Sequence, residues 1–480
     1  MAGQEPRRVP LVVLGGGPGG YPAAFAAADA GLEVLVVDEG DGPGGTCLRS
    51  GCIPSKALLH VARVISEAAD VATAGIAYGP PSIDLDRLRA WKDEVVAALG
   101  GGVTQLAEAR SVEWTRARGV LRDAHTLELG AQSGETSLLG FERLVLATGS
   151  RPVWPEGLLS DSPLVMDSTT ALDLPDVPEK LLVVGGGYIG LELGSVYAAL
   201  GSRVSVVEMT GGLLPGADRD LVKPLARRLQ DRFESIRLDT TVRSLTAESD
   251  GVVVVLVSGE GQPEEVRYDR VLVAVGRRPN SDGMGLTEAG IEVDEAGRVV
   301  VDQMRRTTVE HIFAIGDLCD GPMLAHRATA DARRVVAALC GHESSQGDGG
   351  PELVPAVVFT DPELAWCGLT ETEAKAAGRE VTVSRVPWVA SGRAHATGRT
   401  DGLTKLLCEP GSGRVLGAGM VGVGAGELIA EAVLAITAGL TASEVAAAIH
   451  AHPTLSETLS EAAEHSEGRA IHLLPRRSRS

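Results

Sequence analysis

Cysteine and long apolar runs are both scarce in this sequence of 480 residues. Only six cysteines occur, which excludes a small secreted scaffold held together by disulfides. The sequence has no uninterrupted apolar stretch of about 20 residues, so it predicts no membrane span. Residues 1–10 are polar and basic, and we interpret the apolar run after them as a first strand rather than the core of a signal peptide. A cytoplasmic protein is therefore expected.

Basic residues are also in deficit. The chain has 44 Lys and Arg against 64 Asp and Glu, a formal net charge of -20. This excess of negative charge argues against nucleic-acid binding and disfavours anionic membrane surfaces. It is compatible with docking to a basic protein partner. Apolar residues make up 44% of the chain, enough for large cores, and the length suggests about three domains.

An internal repeat organises the chain. The glycine-rich segments 15–20 and 185–190 each follow a short apolar run and each open an apolar helical stretch that ends at a glycine. Each helix leads into a strand that ends in an acid, Asp38 or Glu208, and all these landmarks recur at an offset of 170 residues. Loop glycines alone could explain one GxGxxG pattern. Two copies in register with strand, helix and acid predict two dinucleotide-binding units.

The glycines and the acid of each unit have separate physical roles. The first glycine permits a tight turn, the second lets the backbone approach a pyrophosphate, and the third allows close packing of helix on strand. The helix N-terminus offers its free N–H groups to the phosphates. Asp38 and Glu208 would accept hydrogen bonds from ribose hydroxyls, and Glu208 would repel a 2′-phosphate, which favours NAD over NADP. The predicted glycines are Gly15, Gly17 and Gly20 in the first unit and Gly185, Gly187 and Gly190 in the second.

Two cysteines follow directly after the first unit. Segment 44–56 reads GGTCLRSGCIPSK and places Cys47 and Cys52 five positions apart, at the edge of a nucleotide site. Such a pair can cycle between dithiol and disulfide and exchange two electrons with a flavin beside it. A structural disulfide or two buried thiols is the alternative interpretation. Because the cysteines belong to the first unit, FAD is expected there and NAD at the second unit.

Two further segments carry candidate residues. The apolar strand in 311–317 ends in Asp317, which suits hydrogen bonding to a ribitol chain, although an acid that caps the next helix is the alternative. Segment 450–457 reads HAHPTLSE, and Glu457 lies about one and a half helical turns after His452 if Pro453 begins a helix. A carboxylate there would fix the tautomer of the imidazole and raise its basicity. His450 is interpreted as a packing residue or as a residue that supports the neighbouring pair.

The order of these segments predicts an α/β protein with two Rossmann-like dinucleotide-binding domains and a C-terminal α+β dimerisation domain. Residues 1–150 and 275–345 are expected to form the FAD-binding and central domain, and residues 151–274 the NAD-binding domain. Residues 352–470 are expected to form the interface domain. The Ser, Gly and Asp residues of 343–351 predict a linker, and 471–480 a disordered tail.

Over nearly its whole length the chain resembles the flavoprotein pyridine nucleotide-disulfide oxidoreductases, and among them the dihydrolipoyl dehydrogenases. The matching segments are 44–56, 185–201 with Glu208, 275–280, 311–317, 322–327 and 450–457. The resemblance implies a homodimer that contains FAD and NAD and oxidises dihydrolipoyl groups while reducing NAD. It also implies a partner, the lipoyl-bearing subunit of a 2-oxoacid dehydrogenase or glycine cleavage complex.

The resemblance also assigns roles to individual residues. Cys47 would exchange with the substrate dithiol, and Cys52 would face the flavin. Lys56 and Glu192 would form an ion pair near the reactive edge of the flavin, and His452 with Glu457 would serve Cys47 of the other subunit. Gly119 and Ala325 would contact FAD, and Val242 would contact NAD. Further cofactor contacts are expected at Gly45, Thr46, Lys56, Thr148, Gly149, Tyr188, Ile189 and Gly276. No metal site is predicted.

The sequence departs from the family pattern at two places. Asp38 stands where many relatives have Glu, and Arg49-Ser50 replaces the more usual Asn-Val between the cysteines. Glutathione and trypanothione reductases share the cysteine and His–Glu motifs, but they use NADPH, which Glu208 disfavours. Mercuric reductases would need a cysteine pair near the C-terminus, and the last cysteine here is Cys408. A scaffold subunit with a relic site is the non-enzymatic alternative.

Overall fold

The computed structural model describes residues 7–341 and 353–474. The predicted linker 343–351 and residues 475–480 of the predicted tail lie outside these ranges. Residues 471–474 fold back on the chain, since the His472 amide donates to Glu461 Oε1 at 2.8 Å. No helix within the described ranges combines the length and the apolar character needed to cross a bilayer.

The described strands are, in chain order, β1 (Arg7–Leu14), β2 (Val34–Asp38), β3 (Glu113–Arg116), β4 (Arg118–Asp123), β5 (Thr126–Gly130), β6 (Thr136–Leu146), β7 (Ser150–Pro152), β8 (Val165–Met166), β9 (Lys180–Val184), β10 (Arg203–Val207), β11 (Ser235–Arg237), β12 (Thr240–Glu248), β13 (Gly251–Ser258), β14 (Glu264–Tyr268), β15 (Arg270–Val273), β16 (Arg277–Pro279), β17 (Ile312–Ala314), β18 (Ala356–Val358), β19 (Glu363–Gly368), β20 (Thr382–Pro387), β21 (Leu403–Cys408) and β22 (Val415–Gly422).

The described α-helices are α1 (Gly20–Asp29), α2 (Gly45–Ser50), α3 (Cys52–Asp70), α4 (Leu85–Ala109), α5 (Ser168–Leu172), α6 (Tyr188–Leu200), α7 (Arg219–Arg232), α8 (Ala325–Leu339), α9 (Glu371–Ala376), α10 (Gly392–Ala396), α11 (Ala425–Thr437), α12 (Ala442–Ala447) and α13 (Glu457–Ser466). Short 3₁₀ helices occur at Val71–Ala74, Gly316–Leu318 and Trp388–Ala390.

The first sheet is built on the parallel order β3-β2-β1-β6, with β17 also parallel to β6 and with β5 and β4 added in antiparallel fashion. The central strands are apolar on both faces because helices α1 and α8 cover one face and further apolar side chains cover the other. The carboxyl ends of β1 and β2 therefore meet at one edge, where the first glycine segment and Asp38 lie.

The second sheet repeats this plan in the order β11-β10-β9-β15-β8, all parallel. Helix α6 packs against it, and the antiparallel sheet β12-β13-β14 contributes to the core on its other face. The chain enters this unit through β7 and leaves through β16, and these two strands pair as an antiparallel ribbon. The ribbon thus joins the two dinucleotide units.

The C-terminal unit is an antiparallel sheet in the order β18-β19-β22-β21-β20. Helices α11, α12 and α13 contribute to its core on one side, and α7 of the second unit packs with residues of β19 and β22 on the other. The predicted fold class, two Rossmann-like units followed by an α+β domain, is confirmed.

Candidate functional site

A cavity of about 880 Å³ opens between the first and second units. It contains many of the residues that the sequence predicted, although they are scattered over more than 300 positions of the chain. The predicted residues that line it are Gly15, Gly17, Asp38, Gly45, Thr46, Cys47, Cys52, Lys56, Gly119, Thr148, Gly149, Tyr188, Ile189, Glu192, Asp317 and Ala325.

The first glycine segment forms the tight turn that its sequence predicted. Gly15 has φ +106°, and a Cβ atom there would overlap the carbonyl oxygen of Ala147, so that only glycine fits. Asp38 Oδ2 accepts the Gly16 amide at 2.5 Å and Oδ1 accepts the Gly40 amide at 2.7 Å. The open backbone of this turn, next to the start of α1, fits the diphosphate of a dinucleotide.

The second unit repeats this geometry closely. Gly185 has φ +112°, and a Cβ atom there would overlap the carbonyl oxygen of Ala274. Glu208 Oε2 accepts the Gly186 amide at 2.7 Å, and Oε1 accepts the Thr210 amide at 2.8 Å. The longer Glu208 and the shorter Asp38 therefore hold equivalent backbone amides at the ends of equivalent strands. Both turns fit a dinucleotide on the same physical grounds.

Several predicted residues lie outside the cavity. Gly20 and Gly190 are buried where helix meets strand. Gly185, Gly187 and Glu208 of the second unit, and Gly276 just before β16, do not line the cavity either. Val242 lies on β12 and packs with the apolar core between the second sheet and its antiparallel neighbour.

The cysteines lie where two helices meet. Cys47 is on α2 and Cys52 begins α3, and the backbone of Gly51 separates the two helices. Both are free thiols. A hydrogen bond from the Cys47 thiol, helped by the Lys56 charge, outweighs burial and lowers the pKa of Cys52 to about 7. The same hydrogen bond and burial raise the pKa of Cys47. Cys52 is thus the thiol poised to ionise near neutral pH.

Lys56 and Glu192 form the ion pair that the resemblance implied. Lys56 Nζ lies 2.8 Å from Glu192 Oε2 and 4.6 Å from the centre of the Phe359 ring. The other oxygen of Glu192 accepts the Phe359 amide at 2.9 Å. These contacts hold the ammonium group beside Cys52.

His452 and Glu457 form a pair at the surface. His452 Nδ1 donates to Glu457 Oε1 at 2.8 Å, which leaves Nε2 as the basic nitrogen. Burial alone would raise the pKa of Glu457, but the Thr454 amide and the His452 hydrogen bond lower it. The His452 side chain is 78% exposed and lies outside the cavity. Within one chain, His452 is therefore not brought to Cys47.

The structure does not have the helix start that the sequence analysis considered at Pro453. Pro453 does not begin a helix, because α13 starts at Glu457. Residues 453–456 form a turn in which the Thr454 amide donates to Glu457 Oε2 at 2.7 Å. The carboxylate thus reaches back over the turn to the imidazole, rather than along a helix face.

Sequence reasoning missed Ser150 and Arg277, which also line the cavity. Arg277 Nε donates to Ser150 Oγ at 2.8 Å, and Ser150 Oγ donates to Asp317 Oδ2 at 2.5 Å. Their positions immediately after the predicted residues Gly149 and Gly276 were the available signal.

Comparisons with known proteins agree with this geometry. Residues 9–332 match the family profile described as pyridine nucleotide-disulphide oxidoreductase, and residues 354–463 match the dimerisation domain of the same family. The chain is 44% identical over 412 residues to the dihydrolipoyl dehydrogenase of Vibrio parahaemolyticus, with 86% of each chain covered. It is 42% identical over 470 residues to that of Haloferax volcanii, covering 97% of this chain and 98% of the relative.

Solved structures show the same similarity. LpdA from Mycobacterium tuberculosis superposes with a TM-score of 0.86 at 28% identity, covering 95% of this chain and 99% of that one. The HOCl-induced flavoprotein disulfide reductase RclA from Escherichia coli gives a TM-score of 0.82 at 29% identity, with the same coverage. The two family profiles and the similar proteins agree. The chain belongs to the pyridine nucleotide-disulphide oxidoreductase family.

Proposed function

We propose that this protein is an NAD-dependent dihydrolipoyl dehydrogenase, a flavoprotein that oxidises protein-bound dihydrolipoyl groups to lipoyl groups. The observation that carries the proposal is the Cys47–Cys52 thiol pair, which lies in a cavity shared by two dinucleotide units and has one pKa lowered to about 7. Relatives of that name that are more than 40% identical over most of the chain support it.

The cofactors follow from the two glycine turns. The first unit, with Asp38 and Asp317, would hold FAD, and the second, with Glu208, would hold NAD. When bound, FAD and NAD would supply two-electron redox chemistry and accept the electrons of the reduced thiol pair. Because the Glu208 carboxylate would face a 2′-phosphate with like charge, the second unit favours NAD over NADP.

The chain's own residues account for the thiol chemistry. His452 Nε2 takes the proton from one substrate thiol, and the resulting thiolate attacks Cys47 Sγ of the Cys47–Cys52 disulfide. The S–S bond breaks and Cys52 leaves as a thiolate, stabilised by its low pKa and by Lys56. The second substrate thiol attacks the substrate sulfur of the mixed disulfide and expels Cys47, and its proton passes to the departing Cys47 sulfur while the first proton stays on His452. The substrate becomes a cyclic disulfide, and its two electrons remain on the reduced cysteine pair.

The position of His452 favours a shared site. Its exposed side chain lies on the unit that matches the family's dimerisation domain. In a homodimer, His452 of one subunit would serve Cys47 of the other, which gives two identical sites related by the twofold axis. The lipoyl group would come from a separate subunit of a 2-oxoacid dehydrogenase or glycine cleavage complex. The net charge of -20 fits a basic docking face on that subunit. We propose a cytoplasmic location for this protein.

The decisive experiment compares substrates on purified protein. We expect turnover of dihydrolipoamide with NAD, and turnover of lipoamide with NADH. Glutathione reductase is the main alternative, because it shares the cysteine and His–Glu motifs. Reduction of oxidised glutathione by NADPH at a higher kcat/KM than that of lipoamide by NADH would overturn the proposal. Absence of turnover with every disulfide, in protein that retains flavin, would indicate the scaffold alternative.

A further inference from the structure

Ser150 and Arg277 stand on the two strands that link the dinucleotide units. Strand β7 carries the chain into the second unit and β16 carries it back, and the two pair with Ser150 opposite Pro279 and Arg277 opposite Pro152. This register puts Arg277 diagonally across the ribbon from Ser150. Both side chains line the cavity, together with Asp317 from the 3₁₀ helix that follows β17. Three distant parts of the sequence therefore converge on one corner of the cavity.

The three side chains form a directed hydrogen-bond chain. Arg277 donates twice to Ser150, from Nε to Oγ at 2.8 Å and from Nη2 to the carbonyl oxygen at 2.6 Å. Since the serine oxygen accepts from a cation that has no acceptor of its own, the serine hydrogen must point elsewhere. It points to Asp317 Oδ2 at 2.5 Å. Ser150 is 5% exposed, so water competes little for these bonds.

We propose that Arg277 and Ser150 are positioning residues for the flavin, acting through Asp317. The inference rests on the proposed function, in which FAD occupies the first unit and Asp317 meets its ribitol chain. The Arg277–Ser150 pair would hold the Asp317 carboxylate in one rotamer. With Oδ2 engaged, Oδ1 is the oxygen that faces no protein donor in the part of the chain that the structure describes.

The physical gain is pre-organisation. A free aspartate side chain samples several rotamers, and freezing it on ligand binding costs free energy that a prearranged carboxylate does not lose. A charge-assisted chain is also stronger than a neutral one. Losing either Arg277 or Ser150 should therefore weaken FAD binding, while the second dinucleotide unit should still bind NAD.

The neighbouring Arg278 offers a matched control. It is the next residue on β16, and its side chain does not line the cavity, is 52% exposed, and pairs with Asp282. Arg278→Gln removes one positive charge from the same strand but leaves the hydrogen bonds from Arg277 through Ser150 to Asp317 intact. A purely electrostatic or structural effect of losing an arginine from this ribbon would appear in both variants.

The test measures FAD retention in full-length protein. Arg277→Gln, Ser150→Ala, the double variant and Arg278→Gln are purified, stripped of flavin and titrated with FAD, with flavin fluorescence giving the dissociation constant. We expect the constant to rise about tenfold or more in each of the first two, because each loses a bond to a charged group. The two residues act in series, so their effects should not add. The FAD dissociation constant of the double variant should lie within about threefold of that of the weaker-binding single variant. Arg278→Gln should stay within about twofold of wild type.

Two further measurements separate positioning from misfolding. Arg277→Lys keeps the positive charge and one donor nitrogen, so it should recover part of the lost FAD affinity. NAD binding measured by calorimetry should match wild type in every variant. The inference would be overturned if Arg277→Gln bound FAD as tightly as wild type, or if Arg278→Gln lost as much FAD affinity as Arg277→Gln. It would also be overturned by additive losses of FAD affinity in the double variant, by no recovery of affinity in Arg277→Lys, or by weakened NAD binding. If the wild-type protein itself binds no FAD, the proposed function fails first.

Discussion

Lys56 Nζ lies 2.8 Å from Glu192 Oε2, so that an ion pair joins helix α3, which begins at Cys52, to helix α6, which opens the second dinucleotide unit. Glu192 is only 4% exposed there, while Lys56 is 31% exposed. Because the second oxygen of Glu192 accepts the Phe359 amide, one carboxylate links the first unit, the second unit and the C-terminal unit. The cysteine helix is thereby held against both neighbours.

Replacing Glu192 should weaken this junction. Glu192→Gln retains an acceptor for the Phe359 amide but removes the charge opposite Lys56. We expect a loss of about 1–2 kcal/mol in the free energy of unfolding, less than for a fully buried pair because Lys56 is partly solvated. Urea denaturation checks this value. Glu67→Gln, at an exposed pair with Arg63, is the control and should change stability by less than about 0.5 kcal/mol; equal losses would contradict the argument.

The ionisation of Cys52 should respond to these two charges with opposite sign. In the reduced wild-type protein, the thiolate should appear as the pH rises through about 7. Lys56→Met removes a charge that lowers the pKa of Cys52, so the midpoint should rise. Glu192→Gln removes a charge that raises it, so the midpoint should fall. The pH dependence of iodoacetamide labelling, followed by mass spectrometry at Cys52, measures both shifts. Shifts of the same sign would refute the electrostatic origin.

Nicotinamide preference should depend on Glu208. We expect kcat/KM for NAD to exceed that for NADP by at least about 100-fold, because a like-charge contact at a largely buried site costs several kcal/mol. Glu208→Ala should shrink this ratio, mainly by weakening NAD, since the side chain also holds the Gly186 and Thr210 amides. Steady-state kinetics with both nucleotides provides the check. A ratio that does not change would mean that another group reads the ribose.

Mixed dimers test whether the site is shared between subunits. Cys47→Ser and His452→Ala should each be nearly inactive with dihydrolipoamide. Random co-assembly makes about half the dimers mixed, and each mixed dimer has one intact site, so about a quarter of wild-type activity should return. Co-expression with two affinity tags isolates the mixed species for assay. Isolated mixed dimers that show no more activity than their parents would place the whole site within one chain.

Acid stability should depend on Asp218, which joins the second unit to the C-terminal unit. Lys405 is 1% exposed and binds Asp218 at 2.8 Å. Burial alone would raise the pKa of Asp218, but Lys405, the Thr372 hydroxyl and the amides of residues 371 and 372 lower it to about 2. Because the pKa is lowered in the folded protein, ionised Asp218 contributes to the free energy of unfolding above the unfolded pKa near 3.8. This contribution is lost as the pH falls toward 2.

Asp218→Asn should therefore lose on the order of 2 kcal/mol of unfolding free energy at pH 7. Its stability should also fall less steeply than that of wild type as the pH drops from about 4 to about 2. Urea unfolding across this range measures both effects. Asp250→Asn, at an exposed pair with Arg267, serves as the control. If the unfolding free energy of Asp218→Asn fell with pH as steeply as that of wild type, Asp218 would not be the group responsible for the loss of stability in acid.

The sequence by itself determined the two dinucleotide units and the thiol pair. Their signals are local, because a glycine turn, a short helix and an acid at a strand end are all read within about 30 consecutive residues. Segment 44–56 likewise shows Cys47 and Cys52 next to the first unit without any knowledge of distant contacts. The resemblance added the Lys56–Glu192 pair, which lies across 136 positions of sequence.

Only the tertiary structure decided which distant residues meet. Ser150 and Asp317 are 167 positions apart, and their contact with Arg277 depends on the register of the β7–β16 ribbon, which no periodicity in the sequence specifies. The turn at 453–456 was likewise missed, because a proline there is compatible with either a helix start or a turn. Local propensity selects elements, but the packing of those elements selects distant partners, and the hydrogen bond that orients Asp317 exists only after packing.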